Sequence, residues 1–394
     1  MRKRKNMRKV LVTDAQHRAA LAIIRSLGRK KFKITAGSEL KSAMGFYSKY
    51  CTEKVVYPNP KRDPLSFLKK LLKLVKTKDF DCILPSHTYT MLLLCKYRDI
   101  FSGYTEIPPP SYDIFYNAYD KARLLKIAIK NGINCPETYF FNDLDEILSA
   151  ISRYPVVVKA SKRHGVGIAI CKTKSELKEK YSEMVYRYGD CIVQEYIPNG
   201  GEWGVYTLFD YNSKPVALTV QKRRRTLHHY GGASTFRETI RNERLVKIAF
   251  DLLKKLKWSG VAMVEFRIDA RDGIPKLMEI NPRFWGSLQL SISSGVDFPY
   301  LLYRLTTDKK ITPNLYFREG VQCRWLAGDI VGFFHSSEKL NFIKDFLKLR
   351  TKYDVLSLSD PKPFIISVIR PIKGSGDEEP REDDPTINIK ELMK

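Results

Sequence analysis

No run of apolar residues in this sequence approaches the ~20 that a bilayer-spanning helix requires, so functions that depend on a helical membrane span are set aside. Cysteine is sparse and scattered: there are seven, with no CxxC pair. An odd count without metal-ligand or redox spacing reads as reduced thiols in a cytoplasmic protein, not as a disulfide frame or a zinc site. No GxGxxG follows the first strand-like segment, so no dinucleotide site is assigned there. Zinc-finger spacing and the aromatic signature of RNA-binding sheets are also missing. The N-terminal "MRKRKNMRKVLVTDAQ" starts basic, but Asp14 and Gln16 interrupt its apolar stretch, which excludes a secretory signal. Acid is in deficit, with 43 Asp and Glu against 69 Lys and Arg, a net charge of +26. That excess favours polyanions, anionic substrates or an acidic membrane surface, and is silent about fold.

What is present is the material of a globular protein: 43% hydrophobic and 28% charged residues, in a chain long enough for two or three domains. Strand and helix patterns alternate up to about Pro110, which implies a parallel α/β sheet. "KVLVTDAQ" reads as a buried strand, "HRAALAIIRSLGRK" as a helix, and "LSFLKKLLKLVKTKDF" as a second helix before the strand "DCILPS". "IPPPSYD" marks a boundary. Beyond it the pattern turns to α+β, with one helix over "YDKARLLKIAIKNG", strands at "YPVVVKAS", "GIAICK" and "CIVQEYI", and a helix over "NERLVKIAFDLLKKLKW". The expected divisions are 1–115, an α/β parallel-sheet domain; 116–310, an α+β domain; 311–372, a mainly helical extension; and 373–394, an acidic tail expected to be disordered.

The most informative segment is "GVAMVEFRIDARDGIPKLMEINPR". Asp-Gly between two apolar runs is a hairpin signal. Glu265 lies seven residues before Asp272 and Glu279 seven after it, which sets the two carboxylates opposite each other on paired strands. Alternation puts Met278 and Ile280 on one face, and Glu279 and Asn281 on the other. Opposed carboxylates repel. A hard cation removes that penalty, and two carboxylates plus substrate phosphates are a usual way to hold Mg²⁺.

On "VEF" and "MEINPR" the chain resembles the ATP-grasp superfamily from about Tyr116 to Leu305. The resemblance implies an ATP-grasp fold (lid about 116–194, metal strands about 195–310) and makes Glu265, Glu279 and Asn281 Mg²⁺ ligands. It makes Arg283 a phosphate or acyl-phosphate contact. "YPVVVKASKRHGVGIAI" is similar to the family's strand–loop–strand over the triphosphate. There Lys159 can reach phosphate as a point charge, and Ser161, Gly165 and Gly167 let backbone N–H groups approach the ligand. "VQEYIPNGGEWGV" resembles the adenine hinge, implying main-chain contacts from Glu195 and Ile197 and a ribose contact from Glu202, seven residues after Glu195. "YDKARL" implies Lys121 as a nucleotide contact. The run Lys222, Arg223, Arg224 and Arg225, before a Gly-Gly turn, is read as serving substrate or the γ-phosphate, with Lys222, Arg223 and Arg225 as catalytic candidates. His228 and His229 are read as bystanders.

The activity implied is ATP- and Mg²⁺-dependent (or Mn²⁺-dependent) ligation of a carboxylate to an amine through an acyl phosphate. Phosphoryl transfer rests on positioning and charge neutralisation, so no nucleophilic Ser or Cys is needed. Two other readings stand beside it: a bicarbonate-using carboxylase-like enzyme, and a non-catalytic nucleotide-binding protein that binds polyanions through its basic charge.

Overall fold

The structure is a computed structural model, and it describes residues 7–141, 143–162, 167–228, 231–335, 339–346, 350–370, 387–388 and 391–392. Four parallel strands open the chain: β1 (Lys9–Val12), β2 (Lys33–Ser38), β3 (Glu53–Val56) and β4 (Cys82–Leu84), in the order β3-β2-β1-β4. Helix α1 (Arg18–Arg29) follows β1, α2 (Pro64–Thr77) joins β3 to β4, and α3 (Thr88–Lys96) follows β4. Helix α1 buries every residue from Ala19 to Leu27. Helix α2 starts where Asp63 accepts the Ser66 N–H at 3.0 Å and Pro64 presets the first turn. The winding reverses between β1 and β4, so the carboxyl ends of these two strands frame a crevice.

The helix expected over residues 119–132 is α5 (Lys121–Lys130), and a further helix, α4 (Tyr112–Tyr119), precedes it. Asp120 divides them, because its carboxylate accepts the N–H groups of Ala122 and Arg123 and starts a new helix. A second sheet follows, built from β5 (Thr138–Tyr139), β6 (Val156–Ala160), β7 (Ile168–Cys171) and β8 (Cys191–Glu195) in the order β5-β8-β6-β7. Helices α6 (Leu144–Ala150) and α7 (Lys174–Tyr188) cover it and close a core of their own around Ile147, Val158, Leu177 and Val193.

The third sheet holds seven strands: β9 (Asn199–Phe209), β10 (Pro215–His228), β11 (Gly231–Thr239), β12 (Gly260–Asp269), β13 (Pro275–Asn281), β14 (Gln322–Arg324) and β15 (Lys352–Tyr353). Their order is β13-β12-β9-β10-β11-β14-β15. Helices α8 (Glu243–Lys255), α9 (Leu288–Ser293) and α10 (Phe298–Asp308) accompany it, and α11 (Leu326–His335), α12 (Lys339–Phe346) and α13 (Lys362–Ile369) belong to the C-terminal stretch. One core runs from Val10 in the first sheet and Ile23 on α1 to Val205, Val264 and Leu277 in the third sheet. Gly260 allows that closeness: its φ is +90°, and a Cβ there would stand 2.4 Å from the Pro109 carbonyl oxygen.

The C-terminal stretch is helical as expected, yet β14 and β15 also extend the large sheet. It is tied back to the first domain by charge. Asp360 accepts from Arg25 at 2.9 Å and from Ser48 at 2.7 Å, and Asp354 pairs with Arg18 at 2.8 Å and with Arg237.

Candidate active site

Strands β12 and β13 pair in the register the hairpin arithmetic requires, with Glu265 opposite Glu279. One detail differs from strict alternation. Phe266 pairs with Leu277, so Met278 is an extra residue, a bulge that leaves Leu277 and Ile280 in the core and turns Met278 half out of it. Met278 therefore does not share the buried face with Ile280; its sulfur lies 3.9 Å from the Lys159 ammonium.

Asn281 stands between the two carboxylates. Its amide nitrogen donates to Glu265 at 3.2 Å and to Glu279 at 2.9 Å, while its oxygen accepts from Arg283 at 3.2 Å. A hydrogen-bond donor thus occupies the position where a cation would cancel the repulsion, and the donor set is all oxygen and hard. Among the described residues no cluster of three or more His, Cys, Asp or Glu could cage a metal by itself. Two carboxylates and an amide fit an Mg²⁺ that arrives with phosphate oxygens.

Cations surround this acidic centre from three elements. Lys121, at the start of α5, reaches Glu279 at 3.3 Å. Lys159, at the end of β6, is held down to about pH 8 in its pKa, first by burial and then by the nearby charges of Lys121 and Arg267. Arg223 on β10 bridges Glu265 at 2.7 Å and Glu202 at 3.0 Å. Burial opposes the charge on Arg223, but the two carboxylates more than offset it and hold the guanidinium ionised. Burial also raises the Glu265 carboxyl to about 6, against the pull of Arg223. Arg283 spans to the first domain, donating to the Thr88 hydroxyl at 2.7 Å beside the crevice between β1 and β4; burial lowers its pKa.

Other expected residues are placed as follows. Glu202 lies on β9, on the same sheet face as Glu265, and accepts from Arg267 at 2.6 Å. The Glu195 N–H donates to the Glu137 carbonyl at 2.9 Å and its side chain pairs with Arg271 at 3.1 Å, while Ile197 is buried. Ser161 is engaged elsewhere: its hydroxyl donates to Asp120 at 2.7 Å and locks the second sheet to the start of α5. Gly167 has φ +70° and a Cβ there would meet Ala160 at 2.9 Å, so strand packing by itself requires glycine. Gly165, His229 and the side chain of His228 lie outside the described residues.

The four cations of the basic run have separate partners. Lys222 lies over the Trp203 ring at 5.3 Å, Arg224 pairs with Glu238 at 2.8 Å, and Arg225 pairs with Asp329 at 2.8 Å and with Asp345. Only Arg223 of the four contacts the carboxylates of the β12–β13 centre. Sequence reading missed Arg267, which stands two residues beyond Glu265 on the same face of β12, and Thr88, whose position carries no sequence signal.

Residues 187–328 match the family model described as ATP-grasp in the biosynthetic pathway with Ter operon. A protein of Stutzerimonas stutzeri named "Probable alpha-L-glutamate ligase" is 24% identical over 170 residues, covering 41% of this chain and 54% of that one. A similarly named protein of Hahella chejuensis is 25% identical over 203 residues, covering 49% and 64%. The chain therefore spans less than two thirds of the curated relatives it matches. Among solved structures, the biotin carboxylase domain of Hydrogenobacter thermophilus 2-oxoglutarate carboxylase superposes with TM-score 0.67 at 19% identity, covering 81% of this chain and 74% of that one. The L-amino acid ligase of Bacillus licheniformis gives 0.63 at 18% identity, covering 81% and 79%.

Proposed function

This chain has the ATP-grasp fold, and from that premise we propose that it is an ADP-forming ligase that joins a carboxylate to an amine. The observation that carries the reading is the Glu265–Glu279–Asn281 centre ringed by Lys121, Lys159, Arg223 and Arg283. Mg²⁺, or Mn²⁺ in its place, would be held by Glu265, Glu279 and Asn281 and would neutralise the phosphate oxygens. Lys159 and Lys121 supply positive charge on the triphosphate, Glu202 takes the ribose hydroxyls, and the main chain around Glu195 and Ile197 takes adenine.

Arg283 gives the reaction its direction. It joins the acidic centre to the crevice at the carboxyl ends of β1 and β4, a usual ligand position in such sheets. A substrate carboxylate held there faces the γ-phosphate. Its oxygen attacks phosphorus, the bond to the ADP oxygen breaks, and an acyl phosphate results. An amine then attacks the acyl carbon, phosphate leaves, and the proton lost by nitrogen passes to solvent. Fixed cations oppose the charge that develops on the transferred group, and positioning supplies the rest. The similarity to glutamate and amino-acid ligases supports amino acids or short peptides as substrates. A reaction fed by ATP draws on the cytoplasmic nucleotide pool, and we place the protein there.

ADP release over a panel of amino acids and small peptides tests this. The expected result is release that requires Mg²⁺ and a carboxylate–amine pair. Release with bicarbonate alone would favour a carboxylase-like reaction, and no release with any pair would remove the ligase reading.

A further inference from the structure

Exposed apolar side chains are concentrated in one stretch of the chain. Of twenty large hydrophobic residues that are exposed among the described residues, nine lie between positions 330 and 369. Phe334 on α11 is 71% exposed, Leu358 is 94% exposed, and Ile365, Val368 and Ile369 share one face of α13 at i, i+3 and i+4. Scattered single apolar residues are ordinary, whereas a concentration of this kind marks an interaction site. Phe333 of α11 meets Phe342 of α12 at 5.7 Å, and Trp325, just before α11, shares with the α13 residue Phe364 the small cluster of Leu21, Met44 and Val355, so the start of α11 and α13 lie on the same side of the first domain.

Charge says what this face suits. Lys339, Lys344, Arg350, Lys352, Lys362 and Arg370 are all exposed around it. The four described acids of the region are consumed internally: Asp329 and Asp345 by Arg225, Asp354 by Arg18 and Arg237, and Asp360 by Arg25. Among the described residues, what faces outward is therefore apolar and positive. A second copy is a poor occupant, because a two-fold contact sets like patches against each other and doubles the positive charge. An anionic bilayer surface satisfies both properties at once, with the apolar side chains entering the headgroup boundary and the cations meeting acidic lipid. No described helix is long and apolar enough to cross a membrane, so the association is peripheral.

We propose that the face formed by α11, α12 and α13 docks this protein reversibly on an anionic lipid bilayer. The inference is independent of the ligase reading, since none of its residues belongs to the acidic centre. Each cation near such a surface strengthens binding several-fold, so a handful gives a large preference for acidic lipid.

Flotation of the full chain with two vesicle types tests it: pure phosphatidylcholine, and phosphatidylcholine with roughly one third phosphatidylglycerol. The expected result is at least about tenfold stronger binding to the anionic vesicles, weakened by salt. It should be reduced both by a triple Ile365→Ser, Val368→Ser, Ile369→Ser variant and by a Lys339→Gln, Lys344→Gln variant. Unchanged thermal unfolding of the variants shows that they remain folded. Binding to neither vesicle type, or equally to both, overturns the proposal. If the apolar variant binds anionic vesicles as wild type does and a DNA duplex competes it off, the face is a bare polyanion site and the lipid assignment is wrong. If sedimentation shows a dimer that the triple variant dissociates, the occupant is a second copy and the proposal fails.

Discussion

Glu279 bears more of the account than any other residue, since it opposes Glu265, bonds Asn281 and pairs with Lys121. Glu279→Gln keeps the size of the side chain but removes its charge. ADP release should fall by at least about 100-fold, the upper end of what outer contacts of a metal site already cost, with an unchanged circular dichroism spectrum. Glu202→Ala should instead raise the KM for ATP with a smaller change in kcat, the pattern of lost uniform binding. Lys159 gives a pH signature. Its pKa in the folded chain is lowered to about 8 by burial, so above that pH it loses the proton that phosphate needs. The KM for ATP should rise above about pH 8 in wild type and stay flat there in Lys159→Arg. The sign for stability is opposite: the unfolded chain binds more protons between about 8 and 10.4, so this residue's contribution to stability grows as pH rises through that window. The pairing of Glu265 with Glu279 was legible because a two-strand hairpin with a marked turn leaves little freedom of register. The bulge at Met278 was not, because no residue type there demands one.

At the scale of elements, the basic run shows where reading a sequence stops. Four adjacent cations look alike in a list, but a strand sends neighbours to opposite faces, and the register between β10 and β11 slips after Arg223. The strands themselves were hard to see. β9, β10 and β11 are crowded with Gly, Lys and Arg instead of alternating apolar residues, since one of their faces builds a polar site. Their geometry divides the run by role. Arg223→Gln should collapse ADP release at saturating ATP, because it strips a cation from both Glu265 and Glu202. Arg225→Gln should leave the KM for ATP within about twofold and lower stability by roughly 2 kcal/mol, measured by urea unfolding, since buried Asp329 loses one ion pair but keeps Arg324 and Thr235. Collapse of turnover in a well-folded Arg225→Gln protein would show that the run acts together after all.

For the whole molecule, the C-terminal stretch joins parts that the sequence presents as separate. Asp354 and Asp360 bind arginines from α1, and Asp354 also binds Arg237 from the large sheet. Nothing in the local sequence announces contacts across more than 300 positions, whereas the parallel-sheet opening and the β12–β13 hairpin carried local patterns strong enough to read. Asp354→Ala should destabilise the chain by about 3–5 kcal/mol, as expected when one member of a buried ion network is removed, without moving the KM for ATP in the protein that stays folded. The central claim, that a carboxylate is activated by phosphorylation at the Glu265–Glu279 centre, has a more direct test. A carboxylate substrate labelled with ¹⁸O is turned over with ATP, Mg²⁺ and amine, and the phosphate released is weighed by mass spectrometry. The account predicts one labelled oxygen in the phosphate for each amide formed, with ADP as the other product; unlabelled phosphate, or AMP and pyrophosphate in place of ADP, would contradict it.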